Sequence, residues 1–308
     1  MTMAKFIFNN IISAIINIIA LVFITFLLLD ILPADPVKVR LGVRYNEKDA
    51  KILKEKYDLD KPLPQRFLTY MINTLSGNLG TSITTGYDIL YLVKTKAPNS
   101  LKLILLSLLF SLPFAPIALL LGYSNKANSL TKFLFFIAMI PVFITSSLII
   151  FASITIFKIS LTSEEKLLTE FIIPSAILSI FPSFIIFKTI KESTQKISSQ
   201  LFIVAHKSFG FSKKTILLKF IPKNISAQTI SIISNLTLFY LSTIYVLEFT
   251  FGINGIGEFA VHAALNYDFP AVIGIAMITS IIYNIVNLLT KILITITNKS
   301  LLHEPSQL

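Results

Sequence analysis

The chain is 308 residues long, 54% hydrophobic and only 14% charged, with a formal net charge of +11, 26 phenylalanines and no cysteine. A soluble domain of this length closes its core with less apolar surface, so the excess must face a solvent other than water, which is the mark of an integral membrane protein. Without cysteine there is no disulfide framework, thiolate metal site or sulfur nucleophile, and His206, His262 and His303 lie too far apart in sequence to set two ligands on one helix face, so no metal site is expected.

Runs of about 20 apolar residues can cross a bilayer as helices. Six occur, at roughly 7–29, 101–123, 133–157, 167–187, 228–251 and 270–296. The first is too long for the apolar stretch of a secretion signal, and no small-x-small cleavage site follows it, so it reads as a retained span. In the long connection that follows, NEKDAKILKEKY at 46–57 has an Asn start, early acids and later lysines, the pattern of a short helix with a favourable N-terminus. LDKPLP then reads as a turn and QRFLTYMINTL as an amphipathic run. With 11 basic and 8 acidic residues in mixed order, 30–98 is a solvated face rather than a nucleic-acid patch. Spans two to four carry Pro113 and Pro116, Pro141, and Pro174 and Pro182, each removing a backbone donor and bending its helix.

The fold class is therefore an all-α integral membrane protein of six transmembrane helices, with a small extracytoplasmic region after the first and a short cytoplasmic helix between the fourth and fifth. Its expected divisions are the N-terminal helix at 1–30, the cap at 31–98, a five-helix core at 99–300 that includes a loop at 189–227, and a tail at 301–308. Lysine and arginine accumulate in cytoplasmic connections. With both termini inside, the inner pieces hold Lys5, then Lys126 and Lys132, then eight lysines from Lys188 to Lys223 against Glu192, then Lys291 and Lys299 against Glu304; together they carry the whole +11. Cytoplasmic N- and C-termini are expected on that count, in a multi-pass protein of the cell membrane.

Little in the chain carries chemistry. No G-x-x-x-x-G-K-[ST] phosphate loop is present: the Lys-Ser and Lys-Thr pairs lack its glycines, so ATP cannot be held by that route. Glu248 closes span five, Glu170 opens span four and Lys102 starts span two, all near a boundary, which speaks against a buried proton relay. Asn9, Asn10, Asn17, Asn235, Asn284 and Asn287 read as hydrogen bonds between helices. GINGIG at 252–257 lacks the dinucleotide spacing, and Gly252, Gly255 and Gly257 are expected to make a tight turn with positive φ values.

VAHKSFGFSKKTILLKFIP at 204–222 is different, a basic stretch between two apolar runs. Ile203, Val204, Phe209 and Phe211, then Ile216, Leu217, Phe220 and Ile221, interleave with lysines in two short helical patterns. They break at Gly210, Ser212 is a plausible N-cap, and the second stops at Pro222. Such a segment could lie on anionic headgroups. It could also protrude and dock into a partner.

Here the chain resembles the membrane permease subunits of ABC importers, whose shared cytoplasmic loop carries a Glu-Ala-Ala motif and then a glycine. Val204 stands at the Glu, Ala205 and His206 at the two Ala, Gly210 at the glycine, and Pro222 closes the segment. Within that group the chain is similar to the dipeptide, oligopeptide and nickel permease family of the B-subunit type, on LPADP, KEKYDLDKPLPQRF and SGNLGTSITTG. Near the end the likeness rests on VLEFTFGINGIGEFAVHAALNYDFPAVIG, whose Asp268 and Pro270 open the last span. SLPFAPIALLLG departs from it in having less glycine.

The resemblance implies a subunit that pairs with a homologous second permease around a central path in the lipid, with two ATP-binding-cassette ATPase subunits inside and an extracytoplasmic solute-binding protein outside. It implies no cofactor on this chain, ATP being hydrolysed by the partner subunits, and no nucleic acid. Residues 202–211 become the coupling helix, with Val204, Ala205, His206, Lys207, Gly210 and Pro222 as the ATPase-coupling set and Gly252, Gly255, Gly257, Asp268 and Pro270 as the outer turn and last-helix opening. The cargo is a peptide, or nickel or another metal chelate. The alternative is a secondary carrier or channel that needs no ATP, for which matching broken spans in two halves are expected and not found.

Overall fold

Every regular element among the described residues is helical, and the only bridge is an isolated antiparallel pair, Thr81 with Asp88. The computed structural model describes residues 3–32, 35–122, 125–156, 158 and 168–297. The tail at 301–308 with His303 and Glu304, Lys299, and Pro33 and Ala34 of LPADP lie outside the described residues.

Helix α1 runs Met3–Ile31, followed by the short α2 (Pro36–Leu41), α3 (Glu47–Lys56) and α4 (Leu63–Leu75). Then come α5 (Ile89–Ser111), α6 (Phe114–Leu121), α7 (Asn125–Ala138) and α8 (Val142–Thr155). A π-turn at Leu168–Ile172 leads into α9 (Ile173–Leu178) and α10 (Ile180–Ser198). The loop holds α11 (Leu201–Ser208), α12 (Lys213–Thr215), a second π-turn (Ile216–Phe220) and α13 (Ile221–Asn224). The chain closes with α14 (Ser226–Phe251), α15 (Ile256–Leu265) and α16 (Phe269–Thr297).

Five stretches are long and apolar enough to span a membrane: Lys5–Ile31, Ile89–Leu121, Glu170–Ser198, Ser226–Phe251 and Phe269–Thr297. The expected third span, 133–157, is not one helix. α7 and α8 meet at 80°, because Pro141 cannot donate and sits in extended backbone (ψ 137°) as the residue before α8. Counted as one broken span, the pair makes six. Pro113 likewise separates α5 from α6, and Pro174 and Pro182 stand in the first turns of α9 and α10, where a missing N–H costs little.

The span Glu170–Ser198, which holds α9 and α10, is the axis of the bundle: 61% of its most apolar stretch is buried, against 11% for α1, which leaves α1 on the rim beside α16. One apolar core gathers Leu103, Leu178, Phe187, Ile203, Ile221 and Leu247 from α5, α9, α10, the loop and α14. A second joins α1 to α5, α15 and α16 through Val22, Phe26, Ile89, Phe259 and Ile273. Three pairs of polar groups meet inside the bundle, where lipid offers no substitute for water: Ser107 with Tyr240 at 3.0 Å, Lys191 to Thr131 at 3.1 Å and Lys291 to Asn10 at 2.9 Å. Of the six asparagines, Asn10 and Asn287 join helices, Asn284 bonds to Ser280 in its own helix, and Asn9, Asn17 and Asn235 sit on exposed faces.

The cap is ordered by its own signals. Asn46 caps α3 through a 3.0 Å bond from the Lys48 N–H, and α4 packs Phe67 and Tyr70 edge-on against Phe26 of α1. Arg66 reaches Asp30 at 3.0 Å, while Asp35 caps α2 and meets Lys54 of α3 at 2.9 Å. Burial works against the Asp35 charge, but the Lys54 ammonium and the N–H groups of Val37 and Lys38 outweigh it and hold the carboxyl below the usual carboxylate range. Its contribution is therefore complete above that range and lost as pH falls through the lowered value. Acidification from about pH 7 to about pH 3 is expected to lower the protection of the α2 and α3 amides, taken against the intrinsic exchange rate at each pH. Asp35→Asn should remove most of that pH dependence, as exchange followed by mass spectrometry would show.

Candidate functional site

Two regions hold the residues singled out from the sequence, at opposite ends of α14. At the lysine-rich end, α10 does not stop with its apolar run but carries Lys188, Lys191 and Lys196 on to Ser198, and α11 begins after two intervening residues. α11 closes in a Schellman turn: the Gly210 N–H donates to Lys207 O at 3.0 Å and the Phe211 N–H to His206 O at 3.2 Å, with Gly210 at φ +79°. The helix is thus Leu201–Ser208, shorter than the expected 202–211, and Gly210 lies outside it as the left-handed residue that ends it.

Ile203 alone of α11 is fully buried; Leu201 (87% exposed), Val204, Ala205, Lys207 and Phe209 (80%) all face outward. Ser212 caps α12 by accepting from the Thr215 N–H at 3.2 Å. The expected stop at Pro222 is not found. Pro222 lies in the first turn of α13, where it needs no donor, and the π-turn before it takes up the register change, so the chain runs on through Ile221 and Ile225 into α14.

At the other end, the glycines do different things from one another. Gly252 (φ +67°) ends α14 in a second Schellman turn, with the Ile253 N–H on Glu248 O at 2.9 Å. Gly255 and Gly257 do not have positive φ, contrary to expectation. They are needed for room. A Cβ on Gly255 would overlap the Glu248 carboxylate, and one on Gly257 would lie 2.6 Å from Tyr245 Cα and 2.8 Å from Ile244 O.

That closeness lets the buried Glu248 carboxylate accept from the Gly257 N–H (2.6 Å) and the Glu258 N–H (3.3 Å) at the first turn of α15. α5 grips the same turn from the side. Lys96 bonds to Asn254 and to Glu258 (3.0 Å), Asn99 donates to Asn254 O (2.9 Å), and Ser100 accepts from the Ile256 N–H (2.9 Å). His262 faces Glu258 at 3.4 Å, and among the described residues no three or more His, Asp or Glu side chains gather as a metal site would need.

Asp268 follows α15 and is almost fully buried. Its carboxylate accepts from Ser82 Oγ (2.5 Å) and from the N–H groups of Ile83 (2.9 Å), Thr84 (3.0 Å) and Ala271 (3.3 Å). It caps α16 while tying down the cap loop at 80–88, with Pro270 in the first turn beside it. The structure thus joins Asp268 to a loop far away in sequence and keeps the glycine turn as a separate knot. Lys96, Asn99, Ser100 and Ser82 were not foreseen. The i, i+3, i+4 spacing of the first three was a usable signal, but only once 89–100 is known to be helical.

Apolar spans broken at prolines, an ordered cap on one side and a basic helical loop on the other define a multi-pass membrane transport component. The chain belongs to the family described as binding-protein-dependent transport system inner membrane component, whose model matches residues 115–303; the N-terminal model for the same membrane components matches 3–87. It is 24% identical over 311 residues to the oligopeptide transport system permease protein AppB of Bacillus subtilis, covering 96% of this chain and 98% of that one. It is also 24% identical to the dipeptide transport system permease protein DppB of Lactococcus lactis (96% and 98% covered) and to the metal-staphylopine import system permease protein CntB of Staphylococcus aureus (97% and 98%). The protein is an ABC transporter permease subunit of the inner membrane, a transport component without an ATPase domain of its own.

Proposed function

We propose that this subunit forms half of the path by which an importer passes peptides or small metal chelates, with α11 as the helix that receives force from an ATPase. The relatives named for oligopeptides, dipeptides and metal-staphylopine support that cargo range. A homologous second permease, two ATPases and an extracytoplasmic binding protein complete the assembly. Both termini are cytoplasmic on the lysine distribution, which puts 31–98 outside and the loop at 189–227 inside. An apolar hollow of about 630 Å³ between α5, α10, α14 and α16, lined by Leu108, Ile190, Ile232, Leu236, Tyr240 and Val286, faces the second permease on this reading.

The observation that carries the coupling role is the tip of the loop. Leu201, Val204, Phe209 and Phe211 stand exposed among lysines while Ile203, Ile216, Leu217 and Ile221 anchor the loop in the core. Apolar side chains held out on a rigid, anchored turn are what a protein groove recognises. Since the chain has no cysteine, Ala205→Cys is a single-site probe. It is expected to crosslink to an ATPase subunit with a yield that changes between nucleotide-free and ATP-bound complex; crosslinking to lipid alone would refute the role. Gly210→Val forces a branched residue to φ +79°, at a local cost of about 1–2 kcal/mol. It should leave the spans assembled yet lower cargo uptake per ATP hydrolysed by at least about tenfold.

A further inference from the structure

We infer that His206 is the positioning residue through which movement of α11 reaches α14. Its ring is the hub of a four-ring cluster: centroids lie 4.2 Å from Phe220, 5.6 Å from Phe211 and 6.1 Å from Phe202, and Phe211 meets Phe220 at 5.4 Å. These rings come from separate pieces of backbone. Phe202 opens α11, Phe211 follows the Gly210 turn, and Phe220 closes the π-turn that leads into α13. His206 Nδ1 lies 2.6 Å from Phe202 O, which fixes the ring plane against its own helix.

A hinge-like turn at Gly210 would let α11 swing freely relative to the return segment if only backbone joined them. The cluster bridges that turn from one side to the other. His206 supplies the closest ring-to-ring contact across it, and its half-buried ring packs where α11 and the return segment converge. Beyond Phe220 the buried Ile221 and Ile225 continue into α14, whose far end is the Glu248 and Gly252 turn held by α5 and α15. A push on α11 is therefore delivered along one long helix to that turn, and α5 and α15 move with it relative to α4. The π-turn at Ile216–Phe220 is the compliant element beside it.

This role presupposes that α11 docks on an ATPase, and the test separates the two. The complex with its ATPases is placed in lipid nanodiscs, with spin labels at Val246→Cys and Leu75→Cys, both exposed positions, reporting the cap-side end of α14 against α4. ATP with vanadate is the probe. With His206 in place, trapping is expected to change the label distance. His206→Ala should reduce that change by about threefold or more while keeping the nucleotide-dependent crosslink from Ala205→Cys. His206→Phe, which keeps the ring, should restore the movement, and His206→Gln, which keeps a polar group without the ring, should not. Equal movement in His206→Ala and the parent, equal loss in His206→Phe and His206→Gln, or no movement in a parent that crosslinks normally would each overturn the role of His206 alone. Loss of the crosslink in the parent would instead overturn the docking of α11.

Discussion

Asp268→Ala is expected to cost roughly 3–5 kcal/mol of stability and to free the cap loop from the last helix. The carboxylate takes four donors, and three of them, Ser82 Oγ and the N–H groups of Ile83 and Thr84, belong to the loop before α5, which also sets Leu79 in the apolar core beside α16. Ser82 is fully buried and Ile83 nearly so, which shuts out water that could replace the lost acceptor. Removing the carboxylate therefore strands several buried donors at once, each a penalty in its own right. Asp268→Asn keeps the shape and one acceptor oxygen but turns an NH2 towards a backbone N–H, so it should fall between Ala and the parent. Thermal unfolding in detergent measures the loss, and protease cutting within 76–88 shows where it acts. An Asp268→Ala protein that melts with the parent and resists cutting there would refute the account.

The knot at Asp268 also shows what was legible in the sequence. Asp at the start of an apolar run, one residue before Phe-Pro, is a readable N-cap, and α16 begins there as expected. Its partners were invisible, because Ser82 stands 186 positions away and SGNLGTSITTG has no periodicity to fix its fold. The spans follow the same division. α1, α14 and α16 match the apolar runs to within a few residues, since lipid burial depends on composition alone. α5 and α10 overrun theirs: α5 starts at Ile89, inside the segment assigned to the cap, because Asp88 caps it through the Tyr91 N–H at 2.9 Å, and Pro98 is accommodated within the helix.

Proline was the opposite kind of signal, easy to see and hard to interpret. Pro141 breaks its span by 80°, while Pro222, read as a stop, is carried inside a helical path. What separates them is the residue before. Ile140 and Pro141 leave the helix with Pro141 at ψ 137°, whereas Ile221 stays helical and the preceding π-turn absorbs the missing donor. The basic loop at 189–227 was legible in its glycine and in the Ser212 cap. The ring cluster around His206 was not, since four aromatic residues between 202 and 220 meet only after the Gly210 turn reverses the chain.

Gly257→Ala should be the most damaging single methyl in the protein. The atoms it would strike, Tyr245 Cα and N and Ile244 O, are backbone of α14 and cannot swing aside as a side chain does. α15 must back away from α14, which stretches the 2.6 Å bond from the Gly257 N–H to Glu248 and leaves that carboxylate buried with less to satisfy it. Overpacking of about 1–3 kcal/mol plus up to about 1.5–3 kcal/mol for the weakened bond puts the total at roughly 2.5–6 kcal/mol. Gly255→Ala meets the Glu248 carboxylate instead, the end of a side chain, so deletion of that side chain makes room for it. The pair Glu248→Ala with Gly255→Ala should therefore be less destabilised than the two single changes added together, whereas Glu248→Ala should bring no relief to Gly257→Ala. A double-mutant cycle on the unfolding temperature of the purified subunit reads both. Additive behaviour at Gly255, or rescue of Gly257 by loss of Glu248, would mean that the carboxylate does not occupy the space that each glycine leaves open.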